Sequence, residues 1–200
     1  MPGRDRLRAE KLRGGFVIGR EVIVLQETES TNDVVTQMSS GDWPEGLCVF
    51  AEYQTAARGQ HGKRWESAAG KGLWFSILLR PKIEVKESER LPAWAAMTIA
   101  RTLSDEFGIE ATVKPPNDVY IKEGKIAGVL VEMQAQPGAT HAAVIGIGLN
   151  VHHAPSDFPD EIRARATSIA IACRARPDRN QLAVALLRNL DRTYCELFAC

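Results

Sequence analysis

The sequence lacks the marks of several classes of protein. It carries no net charge, because Lys+Arg 25 and Asp+Glu 25 cancel, and its pI is near 6.9. A general nucleic-acid binder needs a basic field, so no nucleic-acid partner is expected. No run of about 18 apolar residues is present, which leaves no candidate for a membrane-spanning helix. The opening stretch MPGRDRLRAEKLRGG is charged but has no apolar segment after it, unlike a secretory signal, so a cytoplasmic protein is expected. The four cysteines, Cys48, Cys173, Cys195 and Cys200, show no CxxC spacing and no histidine in zinc-finger order, and they read as reduced, buried thiols. There is no internal repeat and no low-complexity tract. The first fifteen residues are too few for a helix-turn-helix domain.

What remains is an ordinary globular composition: 200 residues, 44% hydrophobic and 25% charged. Residues 1–15 read as a loose basic arm or a short helix, and 16–200 as a single domain. Strand patterns fall at 22–25, 46–53, 73–80 and 142–151, with three short strands across 110–135. Helices are expected after Ser30 or Thr31 as N-cap, at about 88–107 with Gly108 beyond its end, and from 178 to 200. In the last helix Leu182, Leu186, Leu190, Tyr194 and Leu197 recur at core-facing spacing. Hairpin-length links between the middle strands predict an α/β (α+β) fold, a mixed, largely antiparallel sheet flanked by helices.

Four stretches carry candidate chemistry. Ala57-Arg58-Gly59-Gln60-His61-Gly62-Lys63-Arg64-Trp65 follows a strand; its glycines let backbone N–H groups curl around an anion, and its cations match phosphate. It reads equally as a solvated basic turn, and it is not a Walker A loop. Lys114-Pro115-Pro116-Asn117-Asp118 presents an amide and a carboxylate together, suited to Mg²⁺ with nucleotide phosphates or to a simple turn. Lys125 opens the apolar strand that runs through Gly128 to Glu132, placed to neutralise an anion or merely to blunt a strand edge. Gly146-Ile147-Gly148-Leu149-Asn150 has two glycines inside a strand, which permit close approach. His61, His152 and His153 offer no third metal ligand at a recognisable spacing.

Taken in order, STN (30–32), EYQ and RGxxGxxW (52–65), KxPND (114–118), KIAGVLVE (125–132) and GIGLNV (146–151) resemble the biotin–protein ligase family from about residue 20 to 152. That resemblance implies the class II synthetase-like catalytic domain shared with lipoate ligases. It implies a ligase that joins biotin to ATP, giving biotinyl-5′-AMP and pyrophosphate, and then biotinylates one lysine of a biotin carboxyl carrier protein. By the same resemblance Ser30, Thr31, Asn32 and Gln54 would bind the ureido ring, with Gly59, Gln60 and Gly128 also on the biotin side. Arg58 would meet the carboxylate and phosphates, and Lys63, Arg64, Trp65, Lys114, Asn117 and Asn150 would serve ATP. Lys125 would bridge carboxylate and phosphate, and Asp118 with Asn117 would hold Mg²⁺. Lys125, Arg58 and Asp118 are the implied catalytic set. The sequence does not give the oligomeric state, but by the same analogy 142–151, taken as an exposed strand, could pair across a two-fold axis in a homodimer.

The match departs from the family at three places. Gln60 stands where the family has arginine, which predicts weaker retention of the acyl-adenylate. Pro115 stands where the family has tryptophan, which predicts a missing apolar wall beside the ligand. The chain also ends on its helix, without the small β-barrel that the family commonly carries. Two other readings compete: a lipoate or octanoate ligase of the same fold, for which an RRxxGGG-like run is missing, and a biotin-binding sensor that does not transfer its ligand.

Overall fold

The computed structural model describes residues 5–134 and 141–199. In chain order the elements are α1 (Ala9–Leu12), β1 (Val22–Thr28), α2 (Thr31–Ser39), β2 (Cys48–Gln54), β3 (Gly72–Leu79), α3 (Arg90–Phe107), β4 (Thr112–Lys114), β5 (Asp118–Ile121), β6 (Gly124–Gln134), β7 (Ala142–Asn150), α4 (Asp160–Arg163), α5 (Ile169–Cys173) and α6 (Arg179–Tyr194). The seven strands form one sheet in the order β1-β2-β3-β7-β6-β5-β4. β1 and β2 run parallel, joined through α2, and the other neighbouring pairs are antiparallel. This is the mixed, mainly antiparallel sheet that the sequence predicts.

The strand period of two sorts the side chains. Leu73, Phe75, Ile77 and Leu79 of β3 join Ala143, Ile145, Ile147 and Leu149 of β7 in a large core. Leu91, Trp94, Ile99 and Leu103 of α3 and Leu182, Leu186 and Leu190 of α6 complete it. On the opposite face Val49, Leu78, Ala142 and Val144 pack with Val35 of α2. The residues of β3 and β7 that this second face leaves over are Gly72, Trp74, Ser76, Gly146, Gly148 and Asn150, and all but Gly72 and Trp74 line or support the cavity described below. Gly108 ends α3 in the left-handed conformation at φ 62°, as its position predicts.

Three expectations are corrected. Strand 142–151 is not an edge: β7 is hydrogen-bonded to β3 on one side and to β6 on the other, so it offers no ladder for a homodimer. Leu197 leaves the apolar stripe and is 55% exposed. A π-helical turn over Cys195–Ala199 adds a residue to the helical period and puts Phe198 against Trp94 and Tyr194 instead.

The third correction concerns the N-terminal arm, whose described part is docked rather than loose. Leu7 and Leu12 are buried in the main core. The α6 side of the contact is polar. Arg179, only 2% exposed, pairs with Asp5 at 2.9 Å and with Glu52 at 2.8 Å. The Asn180 side chain accepts from the Arg8 N–H and donates to the Arg6 carbonyl. Asp191 accepts the backbone N–H groups of Phe16, Val17 and Ile18 at 2.6, 2.8 and 2.7 Å. A buried guanidinium with two carboxylates satisfies the rule that interior charge must be paired. The first four residues of the arm and Cys200 lie outside the described residues.

Candidate functional site

A cavity of about 340 Å³ opens on the α2 side of the sheet. Its polar end is built by the first turn of α2. Ser30, Thr31 and Asn32 are all buried there. The Thr31 N–H and hydroxyl both donate to Gln54 Oε1, at 2.8 and 3.1 Å. The Thr31 hydroxyl also lies 2.7 Å from that of Ser76, which donates to Asn32 Oδ1 at 2.6 Å. Asn32 Nδ2 in turn donates to Glu132 Oε2 at 2.6 Å. Ser30, expected as the helix cap, makes no capping bond through its side chain. The result is a compact cluster of amides and hydroxyls, most of them oriented by a neighbour, as a binding wall for a small polar ring requires.

Glycines seat this cluster on the sheet. A Cβ at Gly146 would sit 2.2 Å from Asn32 Oδ1, and one at Gly148 would sit 2.6 Å from Trp65. Gly128, in register with Gly148, gives Trp65 the rest of its place, at 3.0 Å. The close approach predicted for the GIG glycines is therefore to two side chains. The indole Nε1 of Trp65 is buried and has no partner among the described residues.

The loop 57–65 closes over one side. It is folded on itself. The Gly59 N–H donates to the Lys63 carbonyl at 2.6 Å and the Trp65 N–H to that of Ala57 at 2.9 Å. His61 and Gly62 turn the tip at φ 58° and 70°. Two N–H groups expected to cradle an anion are thus spent inside the loop. The Arg58 guanidinium is held in two bonds by Asp33 and lies 3.6 Å from Glu132. The hydrogen bond from Arg58 holds the Asp33 carboxyl below its ordinary range.

Lys125 enters from the β6 end. Its Nζ is 2.6 Å from Asp118 and 5.3 Å from the centre of the Trp65 ring. Its backbone is clasped by the turn after α4, where the Lys125 N–H donates to the Arg165 carbonyl and its own carbonyl accepts from the Thr167 N–H. Asn117 is pinned to Val129 by its side-chain amide at 2.8 Å and by its carbonyl at 3.0 Å. Asn150 donates to the Thr167 carbonyl, while its Oδ1 is buried without a partner among the described residues.

The sequence-predicted residues mostly converge. Ser30, Thr31, Asn32, Gln54, Arg58, Gly59, Gln60, Lys63, Arg64, Trp65, Asn117, Asp118, Lys125, Gly128 and Asn150 all line the cavity. Lys114 does not. Its ammonium lies 4.0 Å over the Tyr120 ring, outside the lining, because β4 is the outermost strand. Pro115 does not wall the cavity either. It lines a separate apolar groove with Met97 and Ala100 of α3, so the predicted gap beside the ligand falls elsewhere.

Several site residues were missed. Asp33 carries in the sequence only the signal of an acid favoured in the first turn of a helix. Phe158, Ile162 and Arg165 lie in a segment without periodicity, which arrives as a flap on Lys125. Ser76 carried no signal at all. His152 bonds Asp5 and the Pro177 carbonyl, and His153 packs between Trp74 and Phe158, so the two neighbours face different ways. Burial pushes His153 down to about 4. Among the cysteines Cys48 is buried, which pushes its thiol up, whereas Cys173 is exposed.

Residues 24–150 match the Biotin/lipoate A/B protein ligase family. The chain is 34% identical over 196 residues to the bifunctional ligase/repressor BirA of Bacillus subtilis, covering 96% of this chain and 60% of that protein. It is 35% identical over 204 residues to the biotin–[acetyl-CoA-carboxylase] ligase of Mycobacterium tuberculosis, covering 96% and 73%. The fold superposes on the biotin protein ligase from Aquifex aeolicus in complex with biotin and ATP with a TM-score of 0.76 and 30% identity, over 89% of this chain and 73% of that one. The chain thus spans about 60% of the length of the Bacillus relative. No helix among the described residues is long and apolar enough to cross a membrane.

Proposed function

The chain belongs to the Biotin/lipoate A/B protein ligase family, and from that premise we propose that it activates biotin with ATP and passes the acyl group to a protein lysine. The observation that carries the reading is the pairing of two unlike ends in one cavity. A cluster of amides and hydroxyls lies at the start of α2, and four cations, Lys63, Arg64, Lys125 and Arg165, line the same cavity.

A ureido ring has two N–H donors and one carbonyl. Gln54, Thr31, Asn32 and Ser30 supply matching partners, while Trp65 gives the ligand an apolar face. In the first step a carboxylate oxygen of biotin attacks the α-phosphorus of ATP, an anhydride bond forms, and pyrophosphate leaves. Two anions must meet for this, so the energetic problem is repulsion, and fixed cations offset it. Lys125 is placed to supply such a cation, with its ammonium steered by Asp118 and its backbone held on both sides by 165–167. In the second step the ε-amine of a carrier lysine attacks the acyl carbon and AMP leaves. No enzyme nucleophile is needed.

Magnesium belongs here with the nucleotide as substrate. Asp118 pairs with Lys125 through one oxygen and Asn117 donates through Nδ2 to Val129, so the oxygens that would meet an ion arriving with the nucleotide are Asn117 Oδ1 and the second Asp118 oxygen. Mg²⁺ bound through phosphates and water needs little from the protein. The carrier is the lysine-bearing domain of a biotin-dependent carboxylase.

Acid-dependent ATP–pyrophosphate exchange on the purified chain, with biotin, lipoate and octanoate in parallel, tests this reading. Exchange with biotin alone is expected. Exchange with another acid keeps the chemistry and moves the substrate. Biotin binding without exchange makes the chain a sensor and overturns the proposal.

A further inference from the structure

Ion pairing inside the cavity sorts its cations into different roles. Lys125 is matched by Asp118 and Arg64 by Glu66, one for one. Arg58 is different, because two carboxylates converge on it. Asp33, from the first turn of α2, takes both terminal nitrogens in the forked geometry that favours arginine over lysine. Glu132, from β6, stands 3.6 Å away and also holds Asn32. One guanidinium between two carboxylates makes a locally negative group, a poor landing place for a biotin carboxylate or a phosphate. Lys63 and Arg165 have no ion-pair partner among the described residues and are the better placed charges for that purpose.

The loop 57–65 needs an anchor on this side. At its far end Trp65 is seated on Gly128 and Gly148. Between the ends, the loop's backbone bonds are to itself. Arg58 is the side chain that reaches from the loop to α2 and β6 together.

We propose that Asp33 and Glu132 are positioning residues which make Arg58 a strap, pinning loop 57–65 across the cavity and setting how long an acyl-adenylate stays bound. The inference rests on the acid-activating reading above for its ligand, though not for its geometry. It also ties ring binding to loop closure, since Glu132 holds Asn32 with one oxygen and faces Arg58 with the other.

The experiment uses the full chain as wild type, Asp33→Asn, Asp33→Ala and the charge-swapped double variant Asp33→Arg/Arg58→Asp. One readout is the rate of trypsin cleavage after Lys63 and Arg64 in the ligand-free protein. The other is the release rate of added biotinyl-5′-AMP, followed by tryptophan fluorescence. Both single variants are expected to speed cleavage and release about five- to tenfold, the scale of a half-exposed forked pair. The swapped pair is expected to bring both rates back within about twofold of wild type.

Unchanged rates overturn the proposal. Slower release also overturns it, because Asp33 would then be competing with the ligand for Arg58. Faster rates that the swap does not restore overturn it too, placing the effect in the start of α2. If biotinyl-5′-AMP does not bind the wild type, the proposed ligand fails, and the cleavage rates alone decide the strap.

Discussion

Gly146→Ala is a one-carbon probe of the proposed ring-binding wall. The added methyl would lie 2.2 Å from Asn32 Oδ1, 3.0 Å from its Cγ and 3.1 Å from its Nδ2. Ordinary contact starts at about 3.5 Å, so something must move by roughly 1 Å. The strand cannot yield easily, since Gly146 pairs with Ser76 on one side and Leu130 on the other. Asn32 yields instead. Its bond from Ser76 and its bond to Glu132, both 2.6 Å, are then broken or badly bent. A neutral hydrogen bond contributes about 1 kcal/mol and one to a carboxylate about 1.5–3, so the loss is about 2–4 kcal/mol. Ser76 keeps its contact with Thr31, so no hydroxyl is orphaned and the cost stays near that range.

The expected result is a biotin affinity lower by about ten- to a hundredfold in calorimetric titration. The same variant should melt about 5–15 °C lower. Combining it with Asn32→Ala separates the causes, since removing the clashing amide should make the second methyl nearly free. Biotin binding within twofold of wild type, with an unchanged melting temperature, would refute the seating of Asn32 on Gly146.

Three further outcomes are expected. Asp191→Ala strands three backbone N–H donors at Phe16, Val17 and Ile18, and should cost about 3–5 kcal/mol in urea unfolding while exposing the arm to protease. His153 titrates at about 4 when folded against 6.5 in the open chain, so its neutral form is favoured by folding. Stability is therefore full above pH 6.5 and falls as pH drops toward 4, by at most about 3 kcal/mol, and His153→Leu should flatten that slope in melts at stepped pH. Arg165→Ala should raise the ATP KM of the exchange reaction about tenfold and leave biotin affinity within twofold, with Arg165→Lys recovering most of the loss.

Local sequence made the strands and the two long helices legible, because their periods and stops agree with what the core requires. Gly108 and the existence of three strands in the middle region are cases of this, although the third, β6, is long rather than short. The errors share one cause, which is that each depends on a partner distant in sequence. Arg179, Asn180 and Asp191 look like the wet face of an amphipathic helix, yet they are the side that grips the arm. Arg58 looks like an unpaired cation, and nothing local announces its pairing with Asp33, 25 residues away. Strand 142–151 looks free until the order of the sheet places it at the centre. Lys114 and Lys125 both belong to candidate motifs, but one is carried by the outermost strand and the other by a strand beneath the cavity.

The glycine seats give the sheet a metric role. Gly146 and Gly148 stand two residues apart on the same face of β7, so their spacing is set by strand pitch at about 6.8 Å. Asn32 is indexed to the first and Trp65 to the second, although one comes from a helix and the other from a loop. Lys125 is indexed as well, its Nζ lying 3.2 Å from where a Cβ of Gly128 would stand. The intervals between Asn32, the indole and the ammonium are therefore referred to the backbone of two adjacent strands. For the proposed acid, the interval between head and carboxylate would be read against these positions, with the Lys125 stem left to take up small differences. On this view the sheet measures the length of the acid, while the walls identify its head.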